Sequence, residues 1–156
     1  MKMNTKLLTA GLIVGFLTTG LNAKGMQSPQ KIFTKKCQMC HAMSKPKNKH
    51  EKMRMAAPPM AVAMRGVVIG VDAIEDPANE KELRTLSIEF LKDYLMNPTR
   101  DKGYCEDMSY RKFGMMPSLK GFVNKKQLDI VVPWVFDNFA PKKDANGKYA
   151  VSSKKK

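Results

Sequence analysis

Cys37-Gln38-Met39-Cys40-His41 is the stretch on which the reading of this chain turns. Two cysteines separated by two residues and followed at once by histidine form the attachment signature of a c-type haem. The spacing follows from the chemistry. Two thiols have to reach the two vinyl groups along one porphyrin edge, and a helical turn with two residues between the cysteines supplies that reach. The next residue then lies beneath the iron, where its imidazole can serve as proximal ligand. Cys37 and Cys40 are therefore the expected thioether attachments of one covalent haem, and His41 the expected iron ligand.

Plainer readings of the same residues have less around them. A thioredoxin-like redox pair calls for a βαβ context, and the pattern of this chain is helical. A zinc site calls for four Cys or His ligands, and beyond the motif the chain offers only Cys105 and His50. A structural disulfide remains open on spacing alone. The rest of the chain agrees with haem instead.

The N-terminus reads as an export signal. Met1 to Lys6 is short and basic, Leu7 to Gly20 is apolar, and Leu21-Asn22-Ala23 is a small-residue exit. The expectation is a secretory signal peptide over 1–23, cut after Ala23, with no stable membrane insertion afterwards. The apolar run is short of the roughly 20 residues a membrane span needs. One haem-bearing domain is expected over 24–140 and a basic disordered tail over 141–156, where Lys142, Lys143, Lys148 and Lys154 to Lys156 cluster. Export places the protein in the periplasm.

The chain has 28 basic and 14 acidic residues, a formal net charge of +14. Losing Lys2 and Lys6 with the signal peptide lowers this by two. Such a charge suits nucleic acid, an anionic surface or an acidic protein. No nucleic-acid motif is present and export argues against that partner, so acidic proteins are expected.

Local signals place the remaining candidates. Ser28-Pro29 starts a helix with an N-cap and a proline at the first helical position; that helix carries Ile32 and Phe33 into the haem motif, with Phe33 expected against the last helix. Lys45-Pro46-Lys47-Asn48-Lys49-His50 reads as an irregular basic loop. His50 is the alternative second axial ligand, giving a bis-His haem, but a histidine in a polar loop is usually solvated. Ala57-Pro58-Pro59-Met60 is an extended proline segment with free carbonyls. A ligating histidine donates its second ring N–H to such an acceptor, and Pro58 is favoured over Pro59. Met60 is expected on the haem face.

Ala61 to Ile74 reads as a short helix closed by Asp76-Pro77-Ala78-Asn79; the spacing of Gly66 and Gly70 can permit close approach of another helix and can equally reflect weak helix propensity. Leu83, Leu86, Phe90, Leu91, Tyr94 and Leu95 follow a helical stripe that Asn97-Pro98 ends. Tyr104 to Phe113 is a further short helix stopped by Gly114. Met116, between Gly114 and Pro117, sits in an extended loop between two helices and is preferred to Met115 as the distal thioether ligand. Asn124 with Gln127 caps the last helix by a capping box. Its apolar face is Leu128, Val131, Val132, Val135, Phe136 and Phe139, with Pro133 inside.

In combination these features resemble the class I monohaem c-type cytochromes, the small exported electron carriers of bacteria. The resemblance rests on Cys37-x-x-Cys40-His41, the proline loop, Leu91-x-x-Tyr94-Leu95-x-x-Pro98, Met116-Pro117 and the aromatic C-terminal helix, and covers roughly residues 28–140. It implies an all-α fold wrapped round one covalent haem, with N- and C-terminal helices crossing. It implies thioethers at Cys37 and Cys40, axial ligands His41 and Met116, and an orienting carbonyl at Pro58. Tyr94 resembles a helix tyrosine found near a propionate. The chain departs from the family in its long haem-to-methionine interval, in the stretch around Cys105 and in lacking a glycine before the proline loop. Cys105 is expected as a small buried apolar residue.

The function this implies is one-electron transfer rather than catalysis. Lys35, Lys36, Lys45, Lys47 and Lys49 would steer docking onto acidic redox partners, membrane-bound respiratory complexes among them. The competing expectations are a haem subunit of a larger oxidoreductase, or a sensor or peroxidase with a labile sixth ligand.

Overall fold

A computed structural model describes residues 27–105 and 107–150. The expected signal peptide lies outside these residues. The architecture is all-α but for one small hairpin: α1 (Pro29–Lys36), α2 (Lys49–Met53), α3 (Met60–Glu75), α4 (Glu80–Met96), α5 (Asp107–Phe113), α6 (Lys125–Phe139), then β1 (Lys142–Lys143) paired antiparallel with β2 (Tyr149–Ala150). Among the described residues no helix is long and apolar enough to cross a membrane.

Helix ends fall where local chemistry puts them. The Ser28 side chain accepts from the Lys31 N–H and Pro29 occupies the first helical position. Asn124 and Gln127 form a reciprocal capping box, satisfying two of the donors a helix start leaves unpaired. Asp76 closes α3 in the left-handed region at φ 45°, and Gly114 ends α5 at φ 72°.

Four helices make the core. α1 packs on α6, and α4 packs on both α3 and α6. Phe33, fully buried, has its ring 5.4 Å from that of Trp134 and 5.5 Å from that of Phe139, so the expected contact of the first helix with the last is present. Met60, Met64, Val68 and Val71 of α3 and Leu128, Val131, Val132 and Val135 of α6 belong to one buried cluster. On α4 the apolar stripe is wider than its sequence suggests. Ile88 and Ser87 are buried as deeply as Leu83 and Leu91, because this helix is covered on two sides.

Three local expectations are corrected. The basic loop is not wholly irregular: Asn48 caps α2, accepting from the Glu51 N–H at 2.9 Å. The Glu51 carboxylate reaches back to the Lys47 N–H at 2.7 Å. Those bonds offset the charge density that argued for a loop. The expected tail is also not structureless where it is described. Asp144 accepts from the N–H groups of Asn146 and Lys148, Gly147 turns at φ 73°, Lys143 pairs with Asp72 of α3, and Tyr149 packs on the core. Lastly, Gly66 and Gly70 admit not a helix but Tyr104: a Cβ at Gly70 would lie 2.2 Å from the Tyr104 ring.

Candidate functional site

α1 runs straight into the Cys37 motif. The Cys37 N–H bonds the Phe33 carbonyl at 2.8 Å, and the His41 N–H bonds the Cys37 carbonyl at 2.9 Å. One turn of backbone thus holds both cysteines and the histidine against the α1–α6 pair. The residue after His41 is tied to the start of α3, since Met60 N–H donates to the Ala42 carbonyl at 2.9 Å.

His41 is buried, at 9% exposure. Its Nδ1 lies 2.8 Å from the carbonyl oxygen of Pro58. A carbonyl only accepts, so Nδ1 carries the proton and Nε2 keeps its lone pair in the neutral ring. Burial holds the imidazole below its usual pKa, opposed by the Pro58 bond, which favours that neutral, ligand-competent form. The choice of Pro58 over Pro59 thus agrees with the hydrogen bond. Pro59 instead precedes α3 as its N-cap residue.

These groups face one cavity of about 400 Å³. Cys37, Cys40, His41, Pro58, Met60, Tyr94 and Met116 all line it, with Met64, Val67, Leu91, Leu95, Val131, Val132 and Val135 supplying apolar wall. Met60 lines it from the first turn of α3, not from an extended loop. The loop carrying Met116 is pinned to the end of α4: Ser118 Oγ donates to the Met96 carbonyl at 2.7 Å and Leu119 N–H to the Leu95 carbonyl at 2.9 Å. Met116 packs on the core, whereas Met115 is 50% exposed. At the rim, Met39, Met115 and Phe122 are exposed, and the Lys36 ammonium sits 4.0 Å from the Phe122 ring centroid.

The chemistry of the donors narrows what the cavity can take. Burial, then the neighbouring Cys40, pushes the Cys37 thiol up to about 11. A redox-active Cys-x-x-Cys pair needs the opposite shift. Among the described residues no three His, Cys, Asp or Glu side chains gather to hold a metal ion, so zinc lacks its ligand set. One imidazole lone pair, one thioether and two thiols on an apolar cavity fit an iron porphyrin.

Other features were not expected from the sequence. Cys105 is half-buried and lines the cavity instead of filling the core. Ser109 and Tyr110 of α5 line it too; nothing in their spacing signalled this. His50 lies on the exposed helix α2 and is not among the lining residues.

No protein-family profile matches the chain, and no solved structure does. An uncharacterized protein of Aquifex aeolicus (strain VF5) is 30% identical over 122 residues, covering 73% of this chain and 75% of that protein. The chain belongs to that protein's family.

Proposed function

We propose that this member of the family is a periplasmic electron carrier of the class I cytochrome c type, holding one low-spin haem c. The observation that carries the reading is the buried His41, oriented by the Pro58 carbonyl, on one apolar cavity with Cys37, Cys40 and Met116. When bound, the haem supplies a one-electron couple whose potential rises with thioether ligation and burial. Cys37 and Cys40 would hold it covalently. His41, its tautomer fixed by Pro58, and Met116, on a loop fastened to α4, would hold the iron. The apolar wall would keep water from the group.

The distribution of charge along the chain supports an acidic partner. Residues 27–71 carry Lys31, Lys35, Lys36, Lys45, Lys47, Lys49, Lys52, Arg54 and Arg65 against a lone Glu51. From 72 to 150 acidic and basic residues balance. The ion pairs Arg84–Asp137, Lys92–Asp129, Arg100–Asp107, Lys102–Asp93 and Lys143–Asp72 lie within that second part. The excess positive charge therefore sits on the segment that bears the haem motif, where it would speed encounter with carboxylate-rich surfaces.

The test is the absorption spectrum of the purified protein, oxidised and reduced, with carbon monoxide then added. A low-spin c-type spectrum indifferent to carbon monoxide is expected. Ready carbon monoxide binding would move the assignment to a sensor or peroxidase with a labile sixth ligand.

A further inference from the structure

The cavity wall is mostly apolar, but polar side chains reach it from α4, from Cys105 and from α5. Tyr94, Cys105, Ser109 and Tyr110 all meet the cavity there. The Tyr110 hydroxyl is buried, and its hydroxyl neighbour is that of Tyr94; burial and this neighbour together hold the Tyr94 phenol above its usual pKa. A buried O–H left without an acceptor is costly, and a pair of hydroxyls that meet only each other leaves one such proton.

Its position is closely set. A Cβ on Gly103 would lie 1.8 Å from the Tyr110 hydroxyl and 3.1 Å from that of Tyr94. The two hydroxyls therefore crowd one backbone atom that only glycine leaves bare. Both are donors, and two donors facing each other cannot use both protons. At least one O–H needs an acceptor from elsewhere. Positive charge stands close by: the Arg100 guanidinium lies 5.2 Å from the Tyr110 ring centroid. Arg100 is itself paired with Asp107 at 3.0 Å.

We infer that Tyr110, with Gly103 as its positioning partner, receives a carboxylate at the edge of the cavity's ligand. Under the haem reading, on which this inference rests, that carboxylate is a propionate. Tyr110 lies in the interval between Pro98 and Met116, where this chain departs from the family it resembles. Hydrogen bonding at that edge would fix how the flat ring sits between His41 and Met116. It gives the inserted segment a specific task.

The experiment is resonance Raman spectroscopy on the intact holoprotein and on Tyr110→Phe, reading the propionate bending mode, whose frequency follows hydrogen bonding to the carboxylate. In Tyr110→Phe the mode is expected to shift to lower frequency, with the iron–sulfur charge-transfer absorption unchanged. Gly103→Ala is the second variant. Its added methyl displaces the same hydroxyl without deleting it, and should move the same mode in the same direction. Propionate modes that stay put in both variants overturn the inference. So does a change confined to the iron–sulfur band, which would make Met116 the acceptor. A parent protein with no haem bands at all refutes the haem reading instead, so the two failures are distinguishable.

Discussion

Replacing Gly70 by alanine tests how the segment over the cavity is held, because two opposing effects can be weighed. In the middle of α3, Gly→Ala gains about 1 kcal/mol of helix propensity. Against this, the new Cβ would stand 2.2 Å from Cγ, 2.4 Å from Cδ1 and 2.6 Å from Cβ of Tyr104. Carbon atoms settle at roughly 3.5–4.0 Å, so the tyrosine must retreat by more than about 1 Å. The clashing atoms lie at the root of the side chain, and rotation of its tip gives no relief. Retreat also disturbs the Tyr104–Phe90 ring contact at 4.5 Å, a kind of pair worth about 0.5–1.5 kcal/mol. Overpacking of this sort costs about 1–3 kcal/mol. The clash and the lost ring contact together outweigh the helix gain, leaving Gly70→Ala destabilised by about 0.5–3.5 kcal/mol.

Gly66→Ala is the internal control. Its Cβ would meet the Tyr104 carbonyl oxygen at 3.1 Å, a shortfall of a few tenths of an ångström that the helix gain of about 1 kcal/mol roughly offsets. Urea midpoints followed by circular dichroism should place Gly70→Ala well below Gly66→Ala. Tyr104→Ala in the Gly70→Ala background should recover part of the loss, since adjacent sites couple. If Gly70→Ala proves as stable as Gly66→Ala, the proposed seat of Tyr104 on α3 is wrong.

Three shorter predictions follow. Phe33→Ala removes the ring that joins α1 to Trp134 and Phe139 and should cost about 3–5 kcal/mol; an equilibrium unfolding curve within 1 kcal/mol of wild type would contradict the α1–α6 packing. Asn124→Ala deletes half of the capping box and should cost about 1 kcal/mol, read as a lower thermal midpoint, whereas the exposed Lys126→Ala should leave that midpoint in place. Lys36→Glu, at the cavity rim, should slow electron exchange with an acidic partner at low ionic strength. The difference from wild type should vanish near 1 M salt, where screening is complete within about 3 Å; stopped-flow rates insensitive to both salt and charge would refute docking on this face.

What could be read from the sequence was local. Ser28-Pro29, Asn124 with Gln127, Asp76 and Gly114 act on neighbours within a turn, and each does in the structure what its chemistry implies. The seven site residues read from motif and resemblance share one cavity because each sits on an element whose start or end was legible. The failures were of two kinds. At Asn48 a capping signal was present but was outvoted by the lysines around it, so α2 read as a loop. Elsewhere the information was long-range. Asp144-Ala145-Asn146-Gly147 announces a turn, but only Lys143 meeting Asp72 and Tyr149 reaching the core make that turn part of the domain. Likewise no spacing shows that Gly103 makes room for two tyrosine hydroxyls, or that Cys105 faces a cavity.

The claim beneath all of this is that a porphyrin is covalently held at Cys37 and Cys40. The intact mass of the mature chain, purified from cells competent in cytochrome c assembly, tests it most directly. The account predicts the polypeptide plus one haem, a mass that survives acid–acetone extraction and is lost in Cys37→Ala/Cys40→Ala. A chain with the mass of bare polypeptide, or one that yields its pigment to acid acetone, contradicts it.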